Sequence, residues 1–120
     1  MRITVQQYQK LQKKPAAKGR AAKKRMNGLE SKYAKHLDYL LQTGKIAGYW
    51  FEAVNLRLAD KCFYMPDFMV QLNDGTIEFH ETKGHWQDDA LVKIKVAAEQ
   101  LPFKFIAFQH KSGQWVEREF

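Results

Sequence analysis

Residues 66–83 read PDFMVQLNDGTIEFHETK. Asn73-Asp74-Gly75 lies between two runs of mostly apolar residues, the pattern of a β-hairpin turn. A three-residue loop with Gly75 in the left-handed conformation pairs Leu72 with Thr76 and sets Asp67 directly opposite Glu81. Their β-carbons would then lie about 4.5–5.5 Å apart, where like charges repel. A two-residue Asp74-Gly75 loop would instead set Asp67 against Thr82. Pro66, which cannot donate to a ladder, is a further point at which the strand can bulge. Alternation puts Ile77 and Phe79 on one face with Glu81 and Lys83, and Phe63, Met65 and Met69 on one face with Asp67. Two carboxylates and a lysine therefore end an otherwise apolar face. A partly buried carboxylate pair costs several kcal/mol unless it is compensated. Lys83 supplies one positive charge, and a divalent cation would supply the rest. Hard oxygen ligands suit Mg²⁺ or Mn²⁺.

Upstream of the hairpin, residues 48–58 are rich in aromatic and branched side chains and read as a strand. Residues 59–61 read as a turn, 62–72 as a second strand and about 76–83 as a third. Upstream, Leu29, Tyr33, Leu37, Leu40 and Leu41 recur at helical spacing, with Asn27 as N-cap and Gly44 as stop, which predicts a helix over about 28–42. Downstream, Asp88 and Asp89 favour a helix start, Leu91, Ile94, Ala98 and Leu101 form its stripe, and Pro102 ends it. Strands over 103–109 and 114–119 complete the chain. The order α-β-β-β-α-β is that of an α/β (α+β) fold: a mixed four- to five-stranded sheet flanked by helices.

The 120 residues suit one compact domain. The net charge of +7 is concentrated. Lys10, Lys13, Lys14, Lys18, Arg20, Lys23, Lys24 and Arg25 follow one another with no acid between them. Removing these eight from the 20 Lys plus Arg leaves 12 against 13 acids. Residues 1–26 therefore read as a basic arm, with a short helix over 3–12 carried by Val5, Tyr8 and Leu11 and broken by Pro15 and Gly19. Residues 27–120 read as the globular domain. Such an arm binds polyanions or stays solvated, and Lys18, Arg20, Lys23, Lys24 and Arg25 are its candidate nucleic-acid contacts. Cys62 is the lone cysteine, so no internal disulfide forms. The first residues hold no apolar signal core, and no apolar run approaches the roughly 18 residues of a membrane span. A cytoplasmic protein without membrane contact is expected.

Pro66-Asp67, then Glu81-Thr82-Lys83, resembles the signature of the PD-(D/E)xK nuclease superfamily, and the element order over residues 27–110 is similar to that superfamily's core. The chain more closely resembles a group of small phage and prophage nuclease-like proteins, which also begin with a short helix and basic arm and carry a Glu in the first helix. The resemblance implies a restriction-endonuclease-like fold and metal-dependent hydrolysis of DNA phosphodiesters. It implies Asp67 and Glu81 as metal ligands, Lys83 as the group that orients or activates the attacking water, and Glu30 as the first-helix acid that completes the metal site. The backbone carbonyl of Thr82 would be a further ligand. The small size leaves little room for a sequence-reading domain, so structure-selective cleavage, as in phage junction resolvases, is the expected subclass. Symmetric substrates would favour a homodimer.

Other residues are candidates for substrate contact. His85 and Trp86 follow the motif directly; otherwise His85 is an exposed loop residue and Trp86 a packing one. Lys93 and Lys95 lie on the second helix and would meet phosphates or form its solvated face. His80 points away from Glu81 and is expected to be structural. His36 and His110 have no spacing for zinc, and Tyr49, Trp50 and Phe51 read as sheet core. No phosphate-binding glycine loop or nucleophilic Ser or Cys signature is present. The rival readings are a catalytically inert nucleic-acid-binding protein and an accessory protein that docks through its basic arm.

Removal of residues 1–25 is expected to leave a folded, near-neutral domain with much weaker DNA affinity. The salt slope of binding should fall by about 0.9 for each phosphate that the arm no longer neutralises. Affinity measured across a salt series for full-length and truncated protein checks this. Identical slopes would show that the arm does not touch phosphates.

Overall fold

The structure, a computed structural model, describes residues 26–120. The short helix expected over 3–12 and the basic side chains of the arm lie outside the described residues. Helix α1 spans Gly28–Gln42. The Asn27 side chain accepts from the Glu30 N–H at 2.7 Å, and the Glu30 carboxylate accepts from the Asn27 N–H at 2.8 Å. This reciprocal box satisfies two donors that a first turn leaves unpaired. At the other end Gly44 takes φ +76°. Lys45 N–H then reaches the Leu40 carbonyl and Gly44 N–H the Leu41 carbonyl, the Schellman closure for which glycine is favoured. Tyr33, Ala34 and Leu37 are buried. Leu41, expected on the same stripe, is exposed, because at about 100° per residue it has rotated roughly 80° away from Tyr33.

The chain then forms β1 (Gly48–Phe51), β2 (Leu56–Ala59), β3 (Cys62–Tyr64), β4 (Phe68–Gln71), β5 (Ile77–Thr82), helix α2 (Asp88–Gln100), β6 (Lys104–Lys111) and β7 (Gln114–Glu119). The main sheet has the order β1-β4-β5-β6-β7. Only the β5–β6 pair in it is parallel, bridged by the α2 crossover. This is the expected mixed sheet with two helices. Among the described residues no helix is long and apolar enough to cross a membrane. A core of Tyr33, Ala34, Leu37, Ile46, Phe68 and Val70 lies on the α1 side. A second core includes Met69, Phe79, Ile94, Ala97 and Phe105 on the α2 side. Tyr49 and Phe51 pack on the first core and Trp50 on the second, as expected of sheet residues.

Two expected strands are each split. The strand expected over 48–58 ends at Phe51, where Glu52 takes φ +47°, a conformation that leaves the pleat. The strand expected over 62–72 is interrupted at residues 65–67 around Pro66, which has no N–H for a ladder. The pieces β2 and β3 pair with each other as a separate hairpin. Phe63 and Met65 therefore do not share the apolar face of Asp67. They sit at 43% and 45% exposure, Phe63 in β3 and Met65 directly after it.

The β4–β5 turn is the three-residue form. Leu72 N–H bonds the Thr76 carbonyl at 2.8 Å, and Gly75 N–H bonds the Leu72 carbonyl at 2.9 Å. Phe68 pairs with His80 and Met69 with Phe79, so the two-residue alternative does not occur. Gly75 holds φ +91°, where an L side chain is strained. Gly75→Ala is therefore expected to lose about 1–2 kcal/mol in urea unfolding. Gly28→Ala, whose added β-carbon meets only open space, is expected to lose none.

Candidate functional site

The site forms where the ladders end. The β4–β5 register, continued one residue beyond Phe68↔His80, sets Asp67 opposite Glu81. The β1–β4 register, continued one residue beyond Phe51↔Phe68, sets Glu52 opposite Asp67, and the Glu52 N–H bonds the Asp67 carbonyl at 2.8 Å. Three acids thus stand in a row across three strands. The first turn of α1 adds Glu30. Glu30, Glu52 and Asp67 each bring one carboxylate oxygen to a common point, all within 4.8 Å of one another. Glu30 and Asp67 are buried and Glu52 is half-buried.

The carboxylates are held in place. Asp67 Oδ2 accepts from both the Thr82 N–H and the Thr82 hydroxyl at 2.9 Å. Glu81 Oε1 accepts from the Tyr64 hydroxyl at 2.7 Å and from the Asp67 N–H at 3.3 Å. Glu81 Oε2 lies 3.5 Å from Lys83 Nζ, and Lys83 itself sits 5.6 Å above the Trp86 ring. Burial pushes the Asp67 carboxyl up to about 7, and the Glu81 charge adds to this, while the two Thr82 bonds oppose it. Burial also raises Glu81, against the Tyr64 hydrogen bond and the Lys83 charge. Burial and the Glu81 charge hold the Tyr64 hydroxyl well above its ordinary range, so it remains a donor. Converging buried carboxylates of this kind suit a hard divalent cation, whose charge offsets both their desolvation and their repulsion.

Asp67, Glu81, Lys83 and Glu30, all expected from the sequence, come together here, and Thr82 enters through its N–H and hydroxyl. Glu52 is an addition that the sequence reading does not contain. Its one signal is that it is the sole acid in the aromatic stretch 48–58. His85 is exposed and lines an open cleft beside the site with Lys83, Thr82, Gly84, Asn27, Leu29, Gln87 and Ala90. Lys93 is half-buried and Lys95 exposed on α2, and neither is among that lining. Trp86 packs edge-on against Phe120. His80 turns to the α1 side, where Nδ1 meets the Tyr33 hydroxyl at 2.7 Å and Nε2 meets Glu78 at 2.8 Å. Lys18, Arg20, Lys23, Lys24 and Arg25 lie outside the described residues.

Comparison of the chain with protein-family models, curated proteins and solved structures finds no match. The electrostatics of the site are open to direct test. A carboxyl raised from 3.8 to about 7 binds its proton more tightly in the folded state. Its contribution to stability is present below its unfolded pKa and disappears as pH rises through the folded one. For Asp67 this amounts to ~4 kcal/mol. Metal-free wild-type protein is therefore expected to lose stability relative to Asp67→Asn between about pH 4 and pH 7, read from urea midpoints. The same pH slope in both proteins would exclude a buried charge on Asp67 as the cause.

Proposed function

We propose that this chain is a metal-dependent DNA endonuclease of the PD-(D/E)xK type, with a restriction-endonuclease-like core. One observation carries the reading: the carboxylate oxygens of Glu30, Glu52 and Asp67 converge within 4.8 Å beside a Glu81–Lys83 pair at 3.5 Å. A surface salt-bridge cluster would have no reason to gather buried and half-buried acids from a helix and from neighbouring strands of the sheet at one point.

Glu30, Glu52, Asp67 and Glu81 would hold Mg²⁺ or Mn²⁺, with the Thr82 carbonyl as a further candidate ligand. Such an ion would supply Lewis acidity toward a phosphate and toward water. The chain's own residues do the positioning. The Thr82 N–H and hydroxyl fix one oxygen of Asp67. The Asn27 N–H fixes one oxygen of Glu30. Lys83, held between Glu81 and the face of Trp86, presents a cation where an attacking water and the developing phosphate charge need one. The cleft lined by Lys83, Gly84, His85 and Gln87 opens beside this group and gives a phosphodiester backbone a route to it. The basic arm supplies long-range attraction to DNA, with His85, Lys93 and Lys95 as nearer contacts. Branched DNA is the preferred substrate in this reading, and a homodimer its natural form.

Purified protein with Mg²⁺ or Mn²⁺ on linear, single-stranded, flapped and four-way-junction DNA, with matched RNA, tests the reading. Cleavage is expected to require the metal and to fall at least about 100-fold in Glu81→Ala and Lys83→Ala, with the fold retained by circular dichroism. Glu30→Gln and Glu52→Gln are expected to raise the Mn²⁺ concentration needed for activity more than they weaken DNA binding. Full cleavage by Glu81→Ala would overturn the assignment. Tight DNA binding with no metal-dependent cleavage would favour the inert binding protein.

A further inference from the structure

The β2–β3 hairpin stands apart from the main sheet, and its side chains divide sharply. Phe63 and Met65 are exposed, while Tyr64 between them is buried in the α2-side core with Val54, Leu58, Met69, Phe79, Ile94 and Phe105. Packing there calls only for a ring, and phenylalanine would supply it without a hydroxyl to desolvate. The hydroxyl that is present donates to one atom, Glu81 Oε1, at 2.7 Å. The same oxygen receives the Asp67 N–H at 3.3 Å. Glu81 Oε2 is left on the Lys83 side, at 3.5 Å. The two oxygens of a carboxylate are equivalent until something distinguishes them, and the terminal torsion that exchanges them is soft. Here a rigid, buried phenol distinguishes them.

We propose that Tyr64 is a positioning residue. It fixes the rotation of the Glu81 carboxylate so that Oε2 is presented beside Lys83, and it couples the separate β2–β3 hairpin to the site. The proposal rests on the nuclease reading for its kinetic consequence, but its effect on metal binding can be measured without cleavage. The Tyr64 hydroxyl meets the site at the Glu81 carboxylate, so its influence passes through Glu81. Loss of a buried partner that orients a metal-binding group lowers affinity or rate by about 10- to 100-fold.

The test uses the full chain as wild type, Tyr64→Phe and Tyr33→Phe. Tyr33→Phe is a matched control, because it removes another buried hydroxyl, the one that meets His80 on the opposite face of the sheet. Mn²⁺ affinity is measured by calorimetry, thermal stability by melting, and kcat and KM on the DNA that wild type cleaves best. Tyr64→Phe is expected to lose about 10-fold or more in Mn²⁺ affinity and in kcat, with KM for DNA unchanged. Tyr33→Phe is expected to lose stability and to keep Mn²⁺ affinity and kcat. A Tyr64→Phe protein that melts earlier yet keeps wild-type Mn²⁺ affinity and kcat would overturn the proposal and leave Tyr64 as a core residue only. Wild type that binds Mn²⁺ but cleaves nothing would sink the nuclease reading alone, because the Mn²⁺ comparison still decides Tyr64. Wild type without Mn²⁺ affinity would overturn both.

Discussion

Thr82 clamps one oxygen of Asp67 with two donors from a single residue, and the site depends on the register that makes this possible. The clamp closes the end of the β4–β5 hairpin whose other end is the Gly75 turn. A slip of one residue would turn Asp67 and Glu81 to opposite faces. It would also take the Asp67 N–H away from the Glu81 carboxylate that it now meets. Hydrogen bonds to an ionised oxygen favour the charged form, so the clamp works against the burial that raises Asp67. Neither tendency is complete. The carboxyl is left poised near neutrality, where a cation can tip it into the ionised state.

Strand β5 serves both sides of the sheet by simple alternation. Phe79 and Glu81 belong to the α2 side, with Tyr64 bonded to Glu81. Glu78 and His80 form the chain that ends on Tyr33 of α1. The Tyr33 ring also meets Phe68, Phe108 and Trp115, so α1 is anchored to the sheet by one side chain that is both packed and hydrogen-bonded. Glu30 stands three residues earlier on the same helix, a neighbouring position on its surface. The packing of the Tyr33 ring, more than its hydroxyl, therefore helps to hold Glu30 at the acid cluster. His80 is far from idle in this arrangement even though it points away from Glu81.

The parts of the structure that were legible in the sequence are those set by neighbours in the chain. Asn73-Asp74-Gly75 marks its own turn, and of the two loop lengths open in the sequence the three-residue one, which sets Asp67 opposite Glu81, is the one formed. Asn27 and Gly44 mark both ends of α1 by chemistry local to each end. Glu52 was not legible, for a physical reason. The aromatic and branched residues of 48–58 carry a strand signal straight through it, while in the structure Glu52 turns to φ +47° with its N–H on the Asp67 carbonyl, a partner distant in sequence. Tyr64 was hidden in the same way. Its value lies in a bond across seventeen residues of sequence, and nothing in Cys62-Phe63-Tyr64 announces which of two adjacent rings turns inward. The break at Pro66 could be foreseen as a bulge. That it would release β2 and β3 as a separate hairpin depends on α2, against which both strands pack.

The acids themselves show why this corner of the fold reads as functional rather than structural. Burying a charge is unfavourable unless it is paired and hydrogen-bonded, and a fold selected only for stability would place apolar residues at these positions. Instead the chain gathers Glu30, Glu52, Asp67 and Glu81 from a helix and from the ends of neighbouring strands. The cation of Lys83 meets Glu81 at 3.5 Å. The donors supplied to Glu30, Glu81 and Asp67 by Asn27, Tyr64 and Thr82 are neutral. They orient the oxygens without cancelling their charge. Among the described residues Lys83 meets Glu81, while the buried Glu30 and Asp67 are held by neutral donors, and that arrangement is what favours the proposed metal site.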